Sequence, residues 1–272
     1  MIAKIITPDA LIRLAQDRLH HPPPGSFAFT ANGDLRRISA VLFLLGKAHN
    51  GDPYLLLNKR SRHVRQSGDL CCPGGGISAT IDFWIARWLH LPATPLSRWP
   101  HGTWWRRHRR KDFSKLALLL AAALREGFEE MRLNPLGVKF LGPMPAQHLV
   151  MFKRVIYPLV GWVNRQQHFL PNWEVEKIVR IPVAALLDAG NYARYRISFV
   201  NDTPGAPDTP YGDMPCFVHH RNGHDELLWG ATYRITEQFL KTIFGHVPPS
   251  MESLPVIHRR LDRKYLKGSS AP

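Results

Sequence analysis

Glu126, Glu129 and Glu130 fall at positions i, i+3 and i+4 of "LREGFEEMRL", Leu124 to Leu133, in a chain whose 36 Lys and Arg outweigh 21 Asp and Glu to give a formal charge of +15. On a helix this spacing brings the carboxylates to one face, where they repel unless a cation or a basic group offsets them. Arg125, four residues before Glu129, offsets only part of that charge. One reading of the acids is a solvated helix face. Two neighbours favour a functional one. Gly127 lies among the acids although glycine costs a helix interior about 1 kcal/mol relative to alanine, which suggests close approach of another element. Upstream, "PGGG" at Pro73 to Gly76 is a loop whose backbone can come near a ligand. On the opposite helix face, Leu120, Leu124, Phe128 and Met131 are expected to pack into a core.

These residues resemble the Nudix hydrolase family, whose box reads G-x5-E-x7-R-E-U-x-E-E-x-G-U, with U a bulky aliphatic. Gly75 matches the first glycine, and Arg125, Glu126, Glu129, Glu130 and Leu133 match the second half. "LLLNKRSRHVRQSGDLCCPGG" is similar to the added signature of the coenzyme A pyrophosphatase branch, through Leu56, Leu57, Arg60, Ser61, Arg65, Gly68, Pro73, Gly74 and Gly75. "WEVEKIVRIPVAALLD" and "PCF…LWGATYRI" are similar to later parts of the same branch. The chain also departs from the pattern. Ile81 stands where the loop glutamate is expected, with Asp82 one place late, and 43 residues, Asp82 to Leu124, separate that position from Arg125 where the family has seven. Arg132 replaces the late box glycine, Gly127 a bulky residue and Cys72 a phenylalanine, and two residues instead of three separate Arg65 from Gly68.

The resemblance implies an α/β fold, a Nudix-like α/β/α sandwich around a mixed β-sheet, and Mg²⁺-dependent hydrolysis of a diphosphate linkage, with Mn²⁺ as the alternative ion. It implies Glu129 and Glu130 as main metal ligands, Glu126 as a ligand or general base, and Arg125 as the residue that orients the acids. Glu174 is the candidate for an acid from outside the box, with Glu176 as alternate. Arg60 and Arg65 are the candidates for phosphate contact, since guanidinium grips phosphate bidentately, and Gly74 and Gly75 are placed against the substrate. Coenzyme A or acyl-coenzyme A, cleaved to 3′,5′-ADP and (acyl-)4′-phosphopantetheine, is the implied substrate. NADH and dinucleoside polyphosphates are alternatives, as is a silent Nudix fold or a nucleic-acid-binding module. The missing loop glutamate supports geometry in the family, so activity is expected to survive its loss.

The elements that must position these residues follow from periodicity. Thr7 as N-cap, Pro8, and Leu11, Leu14, Ala15 and Leu19 predict an opening helix, and "HHPPPG" stops it. "ISAVLFLL" and "YLLLNKR" flank the turn-rich "GKAHNGDP" and predict a central hairpin. A long Ala- and Leu-rich helix is expected from Ser114 to Arg132. "VKFLGPM", "RVIYPLVGWV", "EVEKIVRIP" and "RYRISFV" predict strands, and "TYRITEQFLKTIFG" a closing amphipathic helix. The expected organisation is an N-terminal helix and linker at 1–30, a hydrolase domain at 31–250 with an insertion at 83–115, and a loosely held basic tail at 251–272.

The insertion holds five of the eight tryptophans and the run "RRHRRK". It reads as a packed helical elaboration with a basic rim, an element lying on acidic membrane, a lid or homodimer contact, or a nucleic-acid contact. The positive charge calls for anionic partners, a phosphorylated small molecule first, with nucleic acid and membrane surfaces left open by the insertion. Three cysteines, Cys71, Cys72 and Cys216, form neither a disulfide framework nor a zinc pattern and fit reduced thiols in a cytoplasmic protein. Cys71 and Cys72 lack a nearby base, and His219, His220 and His224 lack a supported ligand spacing, so neither group is expected to do chemistry.

Overall fold

The computed structural model describes residues 6–20, 35–149, 154–200, 208–221, 223–261 and 265. Helix α1, Pro8–Leu19, starts as its sequence requires: the Thr7 hydroxyl accepts from the Ala10 N–H at 3.3 Å, and Leu11, Ile12, Ala15 and Leu19 are buried. Strands β1, Ile38–Lys47, and β2, Pro53–Arg60, form the expected antiparallel hairpin, in register from Leu44 opposite Leu56 to Lys47 opposite Pro53.

Both strands are buried almost end to end because both faces of the sheet are covered. Ala40, Leu42, Leu44, Tyr54 and Leu56 enter one core with the long helix α4, Arg110–Met131, while Val41, Phe43, Leu45, Leu55 and Leu57 enter another with α1 and α6, Gly230–Phe244. The period of two in side-chain direction thus feeds two cores and makes an α/β/α arrangement.

The sheet is mixed. Along it run β3, Leu70–Cys71, then β2, β1, β7, Arg154–Val163, and β5, Val138–Pro143, while β4, Gly74–Gly76, pairs with β1, β6, Gln147–Leu149, with β7, and β8, Val175–Pro182, with β2. The β1–β7 pair is parallel and the others are antiparallel. The short helix α5, Val183–Leu186, follows β8.

A second sheet of four strands, which the sequence did not suggest as a separate layer, is ordered β11, His224–Trp229, β10, Thr209–Arg221, β9, Tyr192–Phe199, and β12, Val256–Leu261. It changes the picture of the C-terminus. Residues 256–261 of the expected loose tail pair in parallel with β9, and Tyr265 is buried beside them.

The segment after the glycine loop folds into α2, Ile81–Trp88, and α3, Gly102–His108, which pack on α4. Leu89, Leu96, Trp99, Trp105 and Phe113 join the α4-side core. The tryptophan N–H groups are satisfied there: Trp99 Nε1 donates to the Leu141 carbonyl at 3.1 Å and Trp105 Nε1 to that of His20 at 3.0 Å. Helix α4 begins at Arg110 instead of Ser114, so the end of the arginine run is helical. Phe128, expected in the core, is 46% exposed, with the Arg132 guanidinium 5.1 Å from its ring centre. No described helix is long and apolar enough to cross a membrane.

Candidate active site

The last turns of α4 meet the glycine strand β4, and the glycines decide how closely. A Cβ on Gly75 would stand 2.5 Å from the Glu126 carboxyl carbon, and one on Gly74, whose φ is 149°, would stand 2.4 Å from the Ala40 carbonyl oxygen. Only glycine lets β4 lie between β1 and the acids. Gly74 also donates its N–H to Glu130 Oε2 at 3.2 Å. Expected against substrate, both residues are found shaping and holding the acid cluster. Gly127 is confirmed as a close approach: a Cβ there would meet Leu133 Cδ2 at 2.9 Å.

Arg125 fans out over the site. Its Nε donates to Asp82 Oδ1 at 2.7 Å, Nη2 to Asp82 Oδ2 at 3.2 Å and to the Gly76 carbonyl at 3.0 Å, and Nη1 to Glu129 Oε2 at 3.1 Å with Glu126 Oε1 at 3.0 Å. Burial disfavours its charge, but the Asp82 hydrogen bonds and the charges of Glu126, Asp82 and Glu129 more than compensate and raise its pKa. Asp82 is 0% exposed, and its Oδ2 also accepts the Ser78 N–H at 2.6 Å. The loop acid missing at Ile81 is therefore supplied one residue later. Helix α2 starts at Ile81, leaving that side chain exposed and turning Asp82 inward with Ala86. The signal was in the sequence: Asp82 is the lone charge on the stripe that continues through Ala86 and Leu89.

Glu130 stands at the other end of the cluster. Its Oε2 accepts from Asn58 Nδ2 at 2.8 Å as well as from Gly74, leaving Oε1 as the atom available to a cation. Burial and the neighbouring charges of Glu126 and Glu174 push its pKa up to about 8 against the pull of the Gly74 N–H and Arg60. Glu126 is raised as well, by burial first and by Glu129 and Glu174, with Arg125 opposing. Asn58 is buried in β2, with Oδ1 lacking a hydrogen bond. It was missed as a site residue, although it is the polar interruption of "YLLLNKR".

A small pocket of about 60 Å³ is lined by Glu130, Glu174, Asn58 and Arg60, with Val64, Cys71 and Val175. Of the two outside acids, Glu174 lies in the pocket, whereas Glu176 is exposed with an oxygen 3.6 Å from Lys59 Nζ. The arginine pair divides: Arg60 lines the pocket, and Arg65 is exposed and holds Arg60 through its main-chain carbonyl, which accepts from Arg60 Nε at 2.7 Å. Burial pushes the Cys71 thiol up to about 12, so it is no nucleophile. His220 pairs with Asp225 at 2.6 Å, away from the acids.

The donors around the pocket are carboxylate and amide oxygens, the chemistry Mg²⁺ or Mn²⁺ prefers. Raised pKa values at Glu126 and Glu130 record a surplus of buried negative charge that a divalent cation relieves, so the residues fit such an ion in kind. Among the described residues no three His, Cys, Asp or Glu side chains converge as a metal-holding group, and Arg125 engages Glu126 and Glu129 instead.

No family model matches the chain. It is 25% identical over 201 residues, 73% of each chain, to the uncharacterized Nudix hydrolase NudL of Enterobacter sp. (strain 638). It is also 25% identical over 223 residues, 81% of this chain and 82% of the relative, to NudL of Klebsiella pneumoniae (strain 342). The chain is thus similar to proteins described as Nudix hydrolases. A solved Nudix hydrolase from Alicyclobacillus acidocaldarius is 15% identical at a TM-score of 0.37, covering 56% of this chain and 81% of its own. The Nudix hydrolase RenU of M. smegmatis is 15% identical at 0.36, covering 54% and 71%. The residues that resemble the Nudix box are interrupted along the chain, yet Gly75, Asp82, Arg125, Glu126, Glu129 and Glu130 meet in space.

Proposed function

We propose that the chain cleaves the diphosphate linkage of a nucleoside diphosphate derivative with the help of Mg²⁺ or Mn²⁺, and that coenzyme A or acyl-coenzyme A is its substrate. The observation that carries the reading is Glu130 and Glu174 facing Arg60 in one pocket: acids for a cation beside a guanidinium for phosphate. The cation would be held by Glu126, Glu129, Glu130 and Glu174, and when bound it would screen the diphosphate and lower the pKa of water. Arg60, held through Nε, would meet phosphate oxygens with its guanidinium. Glu126, half-buried beside Arg125, would accept the proton of an attacking water, and its ion pair with Arg125, which also holds Glu129 and is itself held by Asp82, supports that role.

The preference for coenzyme A rests on the stretch around Arg60, Ser61 and Gly68, which resembles the branch signature. A cytoplasmic setting is part of the proposal and is supported by three free cysteines. Coenzyme A, acyl-coenzyme A, NADH and diadenosine polyphosphates should be incubated with the protein and Mg²⁺, then Mn²⁺, with Glu129→Gln and Glu130→Gln beside the natural sequence. Release of 3′,5′-ADP from a coenzyme A, lost in the variants, is expected. Turnover of another member of the panel alone moves the substrate assignment, and no turnover, or equal turnover in the variants, overturns the catalytic one.

A further inference from the structure

Helix α2 is amphipathic with an apolar face turned to solvent. Asp82, Ala86 and Leu89 are buried, and Ile81, Trp84, Trp88 and Leu91, at spacings of three and four, are exposed by 52%, 69%, 38% and 53%; Phe83 beside them is exposed by 50%. Single exposed apolar residues are ordinary, whereas a contiguous stripe of large ones marks a contact surface. The inward face is already committed to the core and to Arg125, so the outward stripe plays no part in holding the helix down.

The stripe has a basic rim. From Ile81 to Lys111 the chain carries seven Lys and Arg against one acid, the buried and ion-paired Asp82. Arg87 lies over the Trp84 ring at 5.9 Å, and Arg106 of α3 is close enough to His90 to lower its pKa, though burial contributes more. This brings the end of α2 beside the basic end of α3, where Arg107, Arg110 and Lys111 are exposed.

We propose that α2 and the adjoining end of α3 dock the protein on an anionic phospholipid bilayer, with Trp84, Trp88 and Leu91 entering the headgroup region and the arginines meeting lipid phosphates. Tryptophan favours that depth because its ring is apolar and its N–H is polar. Lys and Arg near an acidic leaflet each add about 1 kcal/mol. A single-stranded nucleic acid would use the same cations, but the stripe that includes Ile81 and Leu91 offers aliphatic surface that bases have no use for and acyl chains do. The inference does not depend on diphosphate cleavage, and its test does not measure it.

The full chain should be mixed with vesicles of phosphatidylserine and phosphatidylcholine in equal parts, and separately with phosphatidylcholine alone, and bound protein measured by co-sedimentation with tryptophan emission as a second readout. Binding to the anionic vesicles with a blue-shifted emission, weakened by salt, is expected. Joint Trp84→Ser and Leu91→Ser should weaken it by roughly tenfold or more, with unchanged thermal melting to show the fold is kept. Joint Arg107→Gln and Lys111→Gln should flatten the salt dependence. No binding to anionic vesicles, or binding undiminished by Trp84→Ser with Leu91→Ser, overturns the proposal. So does self-association, or binding of a single-stranded RNA, that the same pair abolishes while vesicles are not bound.

Discussion

Asp82 is fully buried, and its carboxylate oxygens are met by the Arg125 guanidinium and the Ser78 N–H. Removing one partner of such a pair strands the other. Asp82→Ala should therefore cost about 3–5 kcal/mol in denaturant unfolding and lower turnover through misplacement of Glu126 and Glu129. Glu130 gives a pH signature. Its carboxyl, ordinarily near 4.5, holds its proton in the folded metal-free chain until about 8, so between those values the folded state binds more protons than the unfolded one. Its contribution to stability accordingly falls as pH rises through that window. Unfolding of the metal-free protein compared with Glu130→Gln should show this loss in the natural sequence alone, and added Mg²⁺ should reduce it. The sharing of one helix face by Glu126, Glu129 and Glu130, with Arg125 beside Glu129, was legible from spacing. Asn58 and Asp82 were not, because each acts through a partner 72 or 43 residues away that no local pattern displays.

At the scale of elements, helix α4 ends in a way its residues disguise. Arg132 takes the left-handed conformation, φ 55° and ψ 38°, at the place where the box expects glycine. Its backbone N–H still closes the helix on the Phe128 carbonyl at 2.9 Å, and the Leu133 N–H on that of Gly127 at 3.2 Å. The exposed Phe128 has the same origin, since it lies one turn before that cap and under the arginine. Gly75→Ala would drive a methyl group into the Glu126 carboxyl. Loss of most turnover with a stability change of about 1–3 kcal/mol is expected, as read by kinetics beside thermal melting. A packed helical elaboration was among the readings of the segment that forms helices α2 and α3, and Trp99 and Trp105 make it part of the core. Trp105→Ala should cost about 3–5 kcal/mol in urea unfolding; a negligible cost would mean the segment is an appendage.

Across the whole molecule the hydrophobic pattern conveyed the central hairpin, because continuous burial of β1 and β2 writes itself as an unbroken apolar run, while the mixed sheet between helices was what the family resemblance implied. The second sheet was less legible. Strand β9 alternates Ala193, Tyr195 and Ile197 with Arg194, Arg196 and Ser198 and was expected as a strand, whereas β12 carries His258, Arg259 and Arg260 in succession and lacks that alternation. The basic run also concealed the position of Tyr265, whose hydroxyl donates to Asp69 at 2.5 Å and whose carbonyl accepts the Gln66 N–H at 2.7 Å, tying it to the loop beyond Arg60. The net charge of +15 remains a property of the molecule as a whole, suited to gathering anions around the one acidic face.

The central claim is that the acids of α4 hydrolyse a diphosphate with a divalent cation. Its most direct measurement is the Mg²⁺-dependent release of 3′,5′-ADP from coenzyme A by the full chain and by Glu130→Gln. A rate that needs the cation and falls by roughly a hundredfold or more in the variant is predicted. Equal rates in the two proteins, or a rate indifferent to the cation, would contradict it.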